Sequence, residues 1–168
     1  ISQDMLSEES IFHFELFGEN YHTDDLVGFA WSCGDKLYAT DKLELLKDPI
    51  FKDFLEKTPL RVYDFKKAKV LLYRLGVDLQ APAFDSRLAK YLLSTVEDNK
   101  IATIASLYGQ TFLVDDETFY GKGVKKTLPE REKFLEHLAR KLAVLVETEP
   151  VLLEKLSENG QLELLYDM

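Results

Sequence analysis

Residues 11–17 read Ile11-Phe12-His13-Phe14-Glu15-Leu16-Phe17, an apolar and aromatic run that is closed by Gly18. A run of this kind, bounded by a glycine, is typical of a buried β-strand. A second strand is predicted for residues 26–31 and a third for residues 36–39, because Gly34-Asp35 between them is a short turn sequence. The sequence therefore predicts a three-stranded antiparallel meander near its start.

Helices and further strands alternate after the meander. In chain order, the predicted elements are a helix over 42–47, a helix over 49–56, a strand over 60–63, a helix ending before 76, a strand over 77–79, a helix after 85, a helix over 100–108 and a long helix from 129. Asp48, Asp64 and Asp85 are the predicted N-caps, and Gly76 is a helix stop. Pro150 is expected to kink or restart the long helix.

The order of these elements indicates the fold class. A meander followed by alternating helices and strands predicts an α/β fold, in which a mixed sheet is covered by helices. This layout resembles that of ribonuclease H. Residues 114–127 show no stable period, and we find no internal repeat.

Length and composition limit the possible classes of protein. The 168 residues are 46% hydrophobic and suit one domain, and no apolar run approaches the roughly 20 residues that span a bilayer. Cys33 is the single cysteine, which fits a reducing cytoplasm. The net charge of −9 disfavours an isolated nucleic-acid-binding domain. The start at Ile1, without Met or a signal sequence, predicts a segment excised from a larger chain.

Several stretches carry a family resemblance. Phe84-Asp85-Ser86-Arg87-Leu88-Ala89-Lys90-Tyr91-Leu92-Leu93 fits the pattern F-D-x-x-L-x-x-Y-L-L, and Leu75-Gly76-Val77-Asp78-Leu79 before it contains G-I/V-D/E-L. Further matching stretches are Tyr120-Gly121-Lys122-Gly123-Val124-Lys125-Lys126, Glu136-His137-Leu138-Ala139-Arg140-Lys141 and Leu164-Leu165-Tyr166-Asp167-Met168. Together they resemble the 3′-to-5′ exonuclease-type domain of bacterial DNA polymerase I, in its inactive Bacillus-type form. The resemblance covers residues 11–168.

The resemblance implies where a nuclease site would lie. Active members of the family hold two divalent metals with four carboxylates, two of them in a D-x-E on the opening strand, where side chains two residues apart share a face. The motif positions fall on Glu15, Phe17, Ala68 and Lys141, with His137 at the position of the tyrosine that orients water. Only Glu15 is acidic. The resemblance therefore implies a degenerate site without catalytic residues, metal or cofactor.

Neither neighbouring acids nor the histidines are predicted to replace the missing ligands. Asp64 lies one helical turn before Ala68, and Glu19 lies two strand positions beyond Phe17, so both are too distant to replace a ligand. The histidines His13, His22 and His137 are too scattered in sequence to suggest a metal site.

Two further stretches have a plainer interpretation. Asp115-Asp116-Glu117 lacks the ligand spacing of an EF-hand. The lysines beside Gly121 and Gly123 lack P-loop spacing, so we interpret that stretch as a solvated loop.

The resemblance thus implies a single non-catalytic structural domain over residues 1–168 of a DNA polymerase I. The parent would perform template-directed DNA synthesis in replication and repair. The expected partner is the parent's own polymerase domain, with DNA contacted through the parent, no membrane contact and a monomeric, cytoplasmic protein. The alternatives are an active metal-dependent exonuclease with atypical ligands, and an unrelated interaction domain. We also predict that Lys141, alone or together with Arg140, lies near Glu15 and compensates the negative charge of the buried Glu15 carboxylate.

Overall fold

A computed structural model describes residues 1–94 and 98–167 of the chain. Its sheet contains strands β1 (Ile11–Phe17), β2 (Asp25–Cys33), β3 (Lys36–Thr40), β4 (Leu60–Val62) and β5 (Pro82–Asp85) in the order β3-β2-β1-β4-β5. The first three strands pair antiparallel, whereas β4 and β5 run parallel to β1. The predicted meander and the mixed sheet are therefore confirmed.

Helices cover both faces of this sheet. They are α1 (Pro49–Lys57), α2 (Phe65–Arg74), α3 (Ser86–Leu93), α4 (Ile101–Tyr108), α5 (Asp116–Tyr120), α6 (Arg131–Glu158) and α7 (Leu162–Asp167). The predicted N-caps are confirmed, since the carboxylates of Asp48, Asp64 and Asp85 accept backbone N–H groups at the starts of α1, α2 and α3. Gly76 follows α2 with a φ of 87°, as expected of a helix stop.

Two predicted elements differ from the structure, and two further stretches are resolved by it. Residues 77–79 are not a strand; Val77 and Leu79 are buried in irregular chain, and the strand parallel to β4 comes later, at β5. The segment over 42–47 is a 3-10 helix, Leu43–Lys47, rather than an α-helix. Of the two outcomes expected at Pro150, the restart is wrong, because α6 continues through this residue as one helix; the Pro150 side chain is exposed to solvent. The stretch 114–127 contains the short helix α5, whose five residues are too few to show a period.

Alternation along β1 divides its side chains between two cores. Phe12, Phe14 and Leu16 pack into the core beneath α1 and α2, whereas Ile11 and Phe17 contact the core beneath α4 and α6. Because side chains alternate along a strand, His13 and Glu15 lie on the same face of β1 as Ile11 and Phe17. The sheet thus presents a buried histidine and a buried glutamate toward α6.

Gly28 allows α6 to approach this face closely. It lies opposite Glu15 on β2, and a Cβ atom added there would come within 2.9 Å of side-chain atoms of Leu138 and Phe134. A larger residue would force these side chains, or α6 itself, to shift. The glycine therefore helps bring the side chains of α6 within reach of Glu15.

Burial of Asp85 predicts a pH-dependent contribution to stability. Burial raises the pKa of Asp85 to about 6, although backbone N–H groups of Phe65, Arg87 and Leu88 donate to it. Because the folded-state pKa exceeds the unfolded value, the stabilisation is present below pH 4 and is lost as the pH rises through 6. The change is on the order of 2–3 kcal/mol.

An Asp85→Asn variant keeps an oxygen acceptor at this N-cap but cannot ionise. We expect its free energy of unfolding, measured by urea denaturation, to change less between pH 4 and 6 than that of the wild type. Asp48→Asn, at the matching N-cap of α1, is the control. Equal pH profiles for the wild type and Asp85→Asn would contradict this prediction.

Candidate functional site

The candidate site is centred on the carboxylate of Glu15, which is only 2% exposed. His13, two residues earlier on the same face of β1, places its Nε2 atom 2.7 Å from Glu15 Oε1. The hydroxyl of Tyr120, at the end of α5, donates to Glu15 Oε2 at 2.5 Å. A buried carboxylate needs such partners, because losing water without replacement is costly.

Lys141 supplies the positive charge of the site from α6. Its Nζ atom lies 2.8 Å from each carboxylate oxygen of Glu15 and 2.6 Å from Asp116 Oδ1. The prediction that Lys141 lies near Glu15 is therefore confirmed. Arg140 does not join it; its guanidinium pairs with Glu136 on the exposed side of α6. The reason is helix geometry, since neighbouring helical residues point in different directions.

Asp116 is the residue that sequence reasoning missed. It is the first residue of α5, with 53% of its side chain exposed, and its Oδ1 atom also lies 3.0 Å from Nε2 of His137. The ring of His137 stacks on Phe119 with centroids 3.8 Å apart. In the sequence, Asp116 stood out only as part of the acidic run Asp115-Asp116-Glu117, which does not show that it contacts His137 and Lys141 on α6.

Two of the three histidines contribute side chains to this site. His13 and His137 are far apart in sequence but both belong to the site, since α6 packs across β1. His22 is exposed outside it. Scatter along the chain was therefore no argument against a shared site.

The remaining motif positions bring no ligand atoms. The rings of Phe17 and Tyr120 pack edge to face with centroids 5.4 Å apart, and Nζ of Lys126 lies over the Phe17 ring, 4.5 Å from its centroid. Ala68 is buried in α2. The two acids considered as replacement ligands do not belong to the cluster around Glu15. Asp64 caps α2, and Glu19 is exposed beyond the end of β1.

The charges of the site stabilise one another. Burial alone would raise the pKa of Glu15, but the Lys141 ammonium and the hydrogen bond from His13 hold that pKa well below its usual range. Burial likewise opposes the charge of Lys141, yet Glu15 and Asp116 raise its pKa. Burial lowers the pKa of His13, which favours its neutral form. The result is a desolvated, internally paired cluster.

Metal binding can be judged from the same atoms. Glu15, Asp116 and His137 each offer one ligand atom, and these three atoms lie within 4.8 Å of one another. The ammonium of Lys141, however, contacts both carboxylates of this trio. Two adjacent divalent cations require several carboxylate ligands and no fixed cation among them. The residues present therefore do not fit a two-metal centre.

Comparisons with known proteins give the family. The family model described as "DNA polymerase I, ribonuclease H-like domain" matches residues 12–148. The chain belongs to this family. Similar proteins are the DNA polymerase I of Streptococcus pneumoniae, 92% identical over all 168 residues, and that of Lactococcus lactis subsp. cremoris, 44% identical over 97% of the chain. The DNA polymerase I of Geobacillus stearothermophilus is 32% identical over the whole chain.

The chain spans about a fifth of the length of these relatives, covering 18–20% of each. Among solved structures it resembles the POL domain of Pol1 from M. smegmatis in complex with DNA primer-template and dNTP, with a TM-score of 0.73 and 15% identity. That match covers 97% of this chain and 26% of the other, and it supports the ribonuclease H-like fold. No helix in the described part of the chain has the length and hydropathy needed to cross a bilayer.

The hydroxyl of Tyr120 should contribute measurably to stability. A Tyr120→Phe variant removes one hydrogen bond to a buried carboxylate and is expected to lower the free energy of unfolding by about 1.5–3 kcal/mol. Tyr73→Phe is the control, because Tyr73 is 69% exposed and its change should stay within about 0.5 kcal/mol. Chemical denaturation of both variants tests this, and equal losses would refute a special role for Tyr120.

Proposed function

We propose that this chain is a non-catalytic structural domain of a DNA polymerase I, in which an ion-pair network stands where relatives with nuclease activity would hold metal ions. The observation that carries the proposal is the position of Lys141 Nζ, 2.6–2.8 Å from oxygens of both Glu15 and Asp116. One ammonium group thereby balances charge that a metal ion would otherwise balance. The site is stabilising rather than reactive.

Hydrolysis by the two-metal route places further demands on the site. One metal activates the attacking water and the other stabilises the departing oxygen, so open coordination positions are needed. Here Tyr120, His13 and Lys141 already occupy the oxygens of Glu15. Phe17 and Ala68 add no ligand atoms. A divalent ion would therefore have to displace a buried, fully paired lysine.

The domain is expected to be part of a longer parent protein. Since the matched relatives are DNA polymerases I about five times as long, we infer a parent that synthesises DNA on a template in replication and repair. The domain would pack against the polymerase domain of the same chain and meet DNA through it. With a net charge of −9, the domain alone would bind DNA weakly. We place the parent in the cytoplasm as a monomer.

One observation favours an active exonuclease with atypical ligands as a second candidate. The ligand atoms of Glu15, Asp116 and His137 are close enough to share one ion. Such a site would need the Lys141 side chain to swing away, at the cost of leaving its charge unpaired. It would also use one metal where the established route uses two.

A nuclease assay separates the two candidates. The chain is incubated with 5′-labelled single-stranded DNA and either Mg²⁺ or Mn²⁺, beside an Asp116→Asn variant as the matched control. We expect no shortening from the 3′ end by either protein. Shortening by the wild type that Asp116→Asn abolishes would establish the atypical exonuclease and reject the non-catalytic function.

A further inference from the structure

The segment between α5 and α6 concentrates positive charge. Residues 118–129 contain three lysines, Lys122, Lys125 and Lys126, and no acidic residue, in a chain whose net charge is −9. The nearest acids in the sequence are Glu117 and Glu130, one on each side of this stretch. We call residues 120–127 the basic loop. Its charge is opposite in sign to that of the domain as a whole.

The backbone of the basic loop is ordered by its own hydrogen bonds. The N–H of Thr127 donates to the carbonyl oxygen of Tyr120 at 2.8 Å and closes the loop. Gly121 and Gly123 adopt φ values of 90° and 58°, in the left-handed region that favours glycine. A Cβ atom added to Gly121 would lie 2.6 Å from the carbonyl oxygen of Lys125. The lysines therefore project from a defined backbone.

The three lysines differ in their partners. Nζ of Lys126 lies over the ring of Phe17, and Asp25 pairs with Phe17 across the sheet, so this lysine is held against the domain. Lys122 and Lys125 are exposed. No ion pair found among residues 1–94 and 98–167 includes either of them. Two ammonium groups are thus left for a partner outside the domain.

The composition of the basic loop favours the phosphates of double-stranded DNA. Lysine binds phosphate as a point charge, and such contacts supply most of the affinity of proteins for DNA that does not depend on base sequence. Residues 121–127 include no aromatic side chain that could stack on an unpaired base, and Val124 between the lysines is fully exposed. A duplex, whose bases stay stacked while its phosphates face outward, therefore fits the loop better than a single strand.

The acidity of the whole domain determines when this contact can form. With a net charge of −9, the domain alone does not hold DNA tightly. A parent that already holds DNA changes the balance, because a second contact within the same molecule forms at a high effective concentration. Acidic parts of the surface repel phosphates, so the basic loop is the part of the domain that would face the DNA.

We propose that the basic loop, through Lys122 and Lys125, contacts backbone phosphates of duplex DNA held by the polymerase part of the parent. This contact rests on the proposed function, since it requires a parent that binds a primer-template. It is separate from the ion-pair network at Glu15, reads no base sequence and uses no metal ion. The non-catalytic domain thereby helps to hold the primer-template.

Fluorescence anisotropy with a labelled duplex primer-template tests the contact in the parent polymerase, from about 50 to 200 mM NaCl. We expect Lys122→Gln combined with Lys125→Gln to raise the Kd about tenfold at the middle of this range. The slope of log affinity against log salt should fall in magnitude by about 2, one unit for each lost phosphate contact. Lys47→Gln combined with Lys155→Gln is the matched control, because both lysines are exposed outside the loop and the change in charge is the same. It should bind like the wild type.

Two results would overturn this contact. One is an equal salt slope for the loop variant and the control, and the other is a loss of affinity confined to a single-stranded oligonucleotide. Primer extension by the same proteins tests the proposed parent separately. A wild type that binds the duplex without extending the primer would reject the proposed parent activity, while the salt slopes would still decide whether the basic loop contacts DNA.

Discussion

Replacing Lys141 with methionine is expected to lower the free energy of unfolding by about 3–5 kcal/mol. The variant keeps most of the side-chain volume but leaves the buried Glu15 carboxylate without its cation. Asp116 suffers less, because its side chain is half exposed and can be rehydrated. Since a whole domain is stable by only about 5–15 kcal/mol, this one change should bring it close to unfolding at ordinary temperature.

Two further variants show whether the loss comes from the unpaired charge. Arg140→Met removes a neighbouring cation that lies on the exposed side of α6, and its effect should stay within about 0.5 kcal/mol. Adding Glu15→Gln to Lys141→Met removes both charges, and we expect much of the lost stability to return. Urea denaturation measures all three proteins. A double variant no more stable than Lys141→Met would show that packing, rather than charge, explains the effect.

Restoring the family's carboxylates is expected to recover metal binding more readily than nuclease activity. The variant combines Glu15→Asp, Phe17→Glu, Ala68→Asp and Lys141→Asp. If the family alignment places the four acids at one site, they should bind Mn²⁺, because affinity depends chiefly on the number and charge of the ligands. Activity also requires the surrounding groups to hold the substrate and water within about 0.5 Å of the reactive geometry.

The structure indicates what would still obstruct catalysis in this variant. Tyr120 and His13 direct their polar atoms at the carboxylate of residue 15. By the family resemblance, His137 would also replace the tyrosine that orients water. Calorimetry with Mn²⁺ and a gel assay on single-stranded DNA measure the two properties separately. We expect measurable Mn²⁺ binding and little or no cleavage. Activity equal to that of an intact proofreading domain would show that only the ligands had been lost.

The network has a structural consequence apart from catalysis. Asp116 and Tyr120 lie at the two ends of α5, and both contact the cluster around Glu15 and Lys141. The stretch 114–127, which has no helical period of its own, is thereby attached to the central strand and to α6. These long-range contacts act together with the local N-cap of α5, where the Asp115 carboxylate accepts the N–H of Thr118.

The sequence alone determined those features that depend on near neighbours. The apolar and aromatic run of residues 11–17, closed by Gly18, predicted β1, and the N-caps Asp48, Asp64 and Asp85 fixed three helix starts, because a cap acts within three residues of itself. Spacing within the family motif placed Lys141 against Glu15, and the structure confirms that contact. The motif thus predicted a contact between two residues that are 126 positions apart in the sequence.

Tertiary structure decided the rest of the site and part of the sheet. Tyr120 reaches Glu15 across 105 positions, and Asp116 reaches Lys141 only because α5 packs against α6. Neither residue belongs to a pattern that signals such a contact, since side-chain type does not tell which distant groups will be brought together by packing. Likewise, residues 77–79 and 82–85 both follow α2, and only pairing with β4 selects the second as the strand. Cooperative packing, rather than local preference, settles these choices.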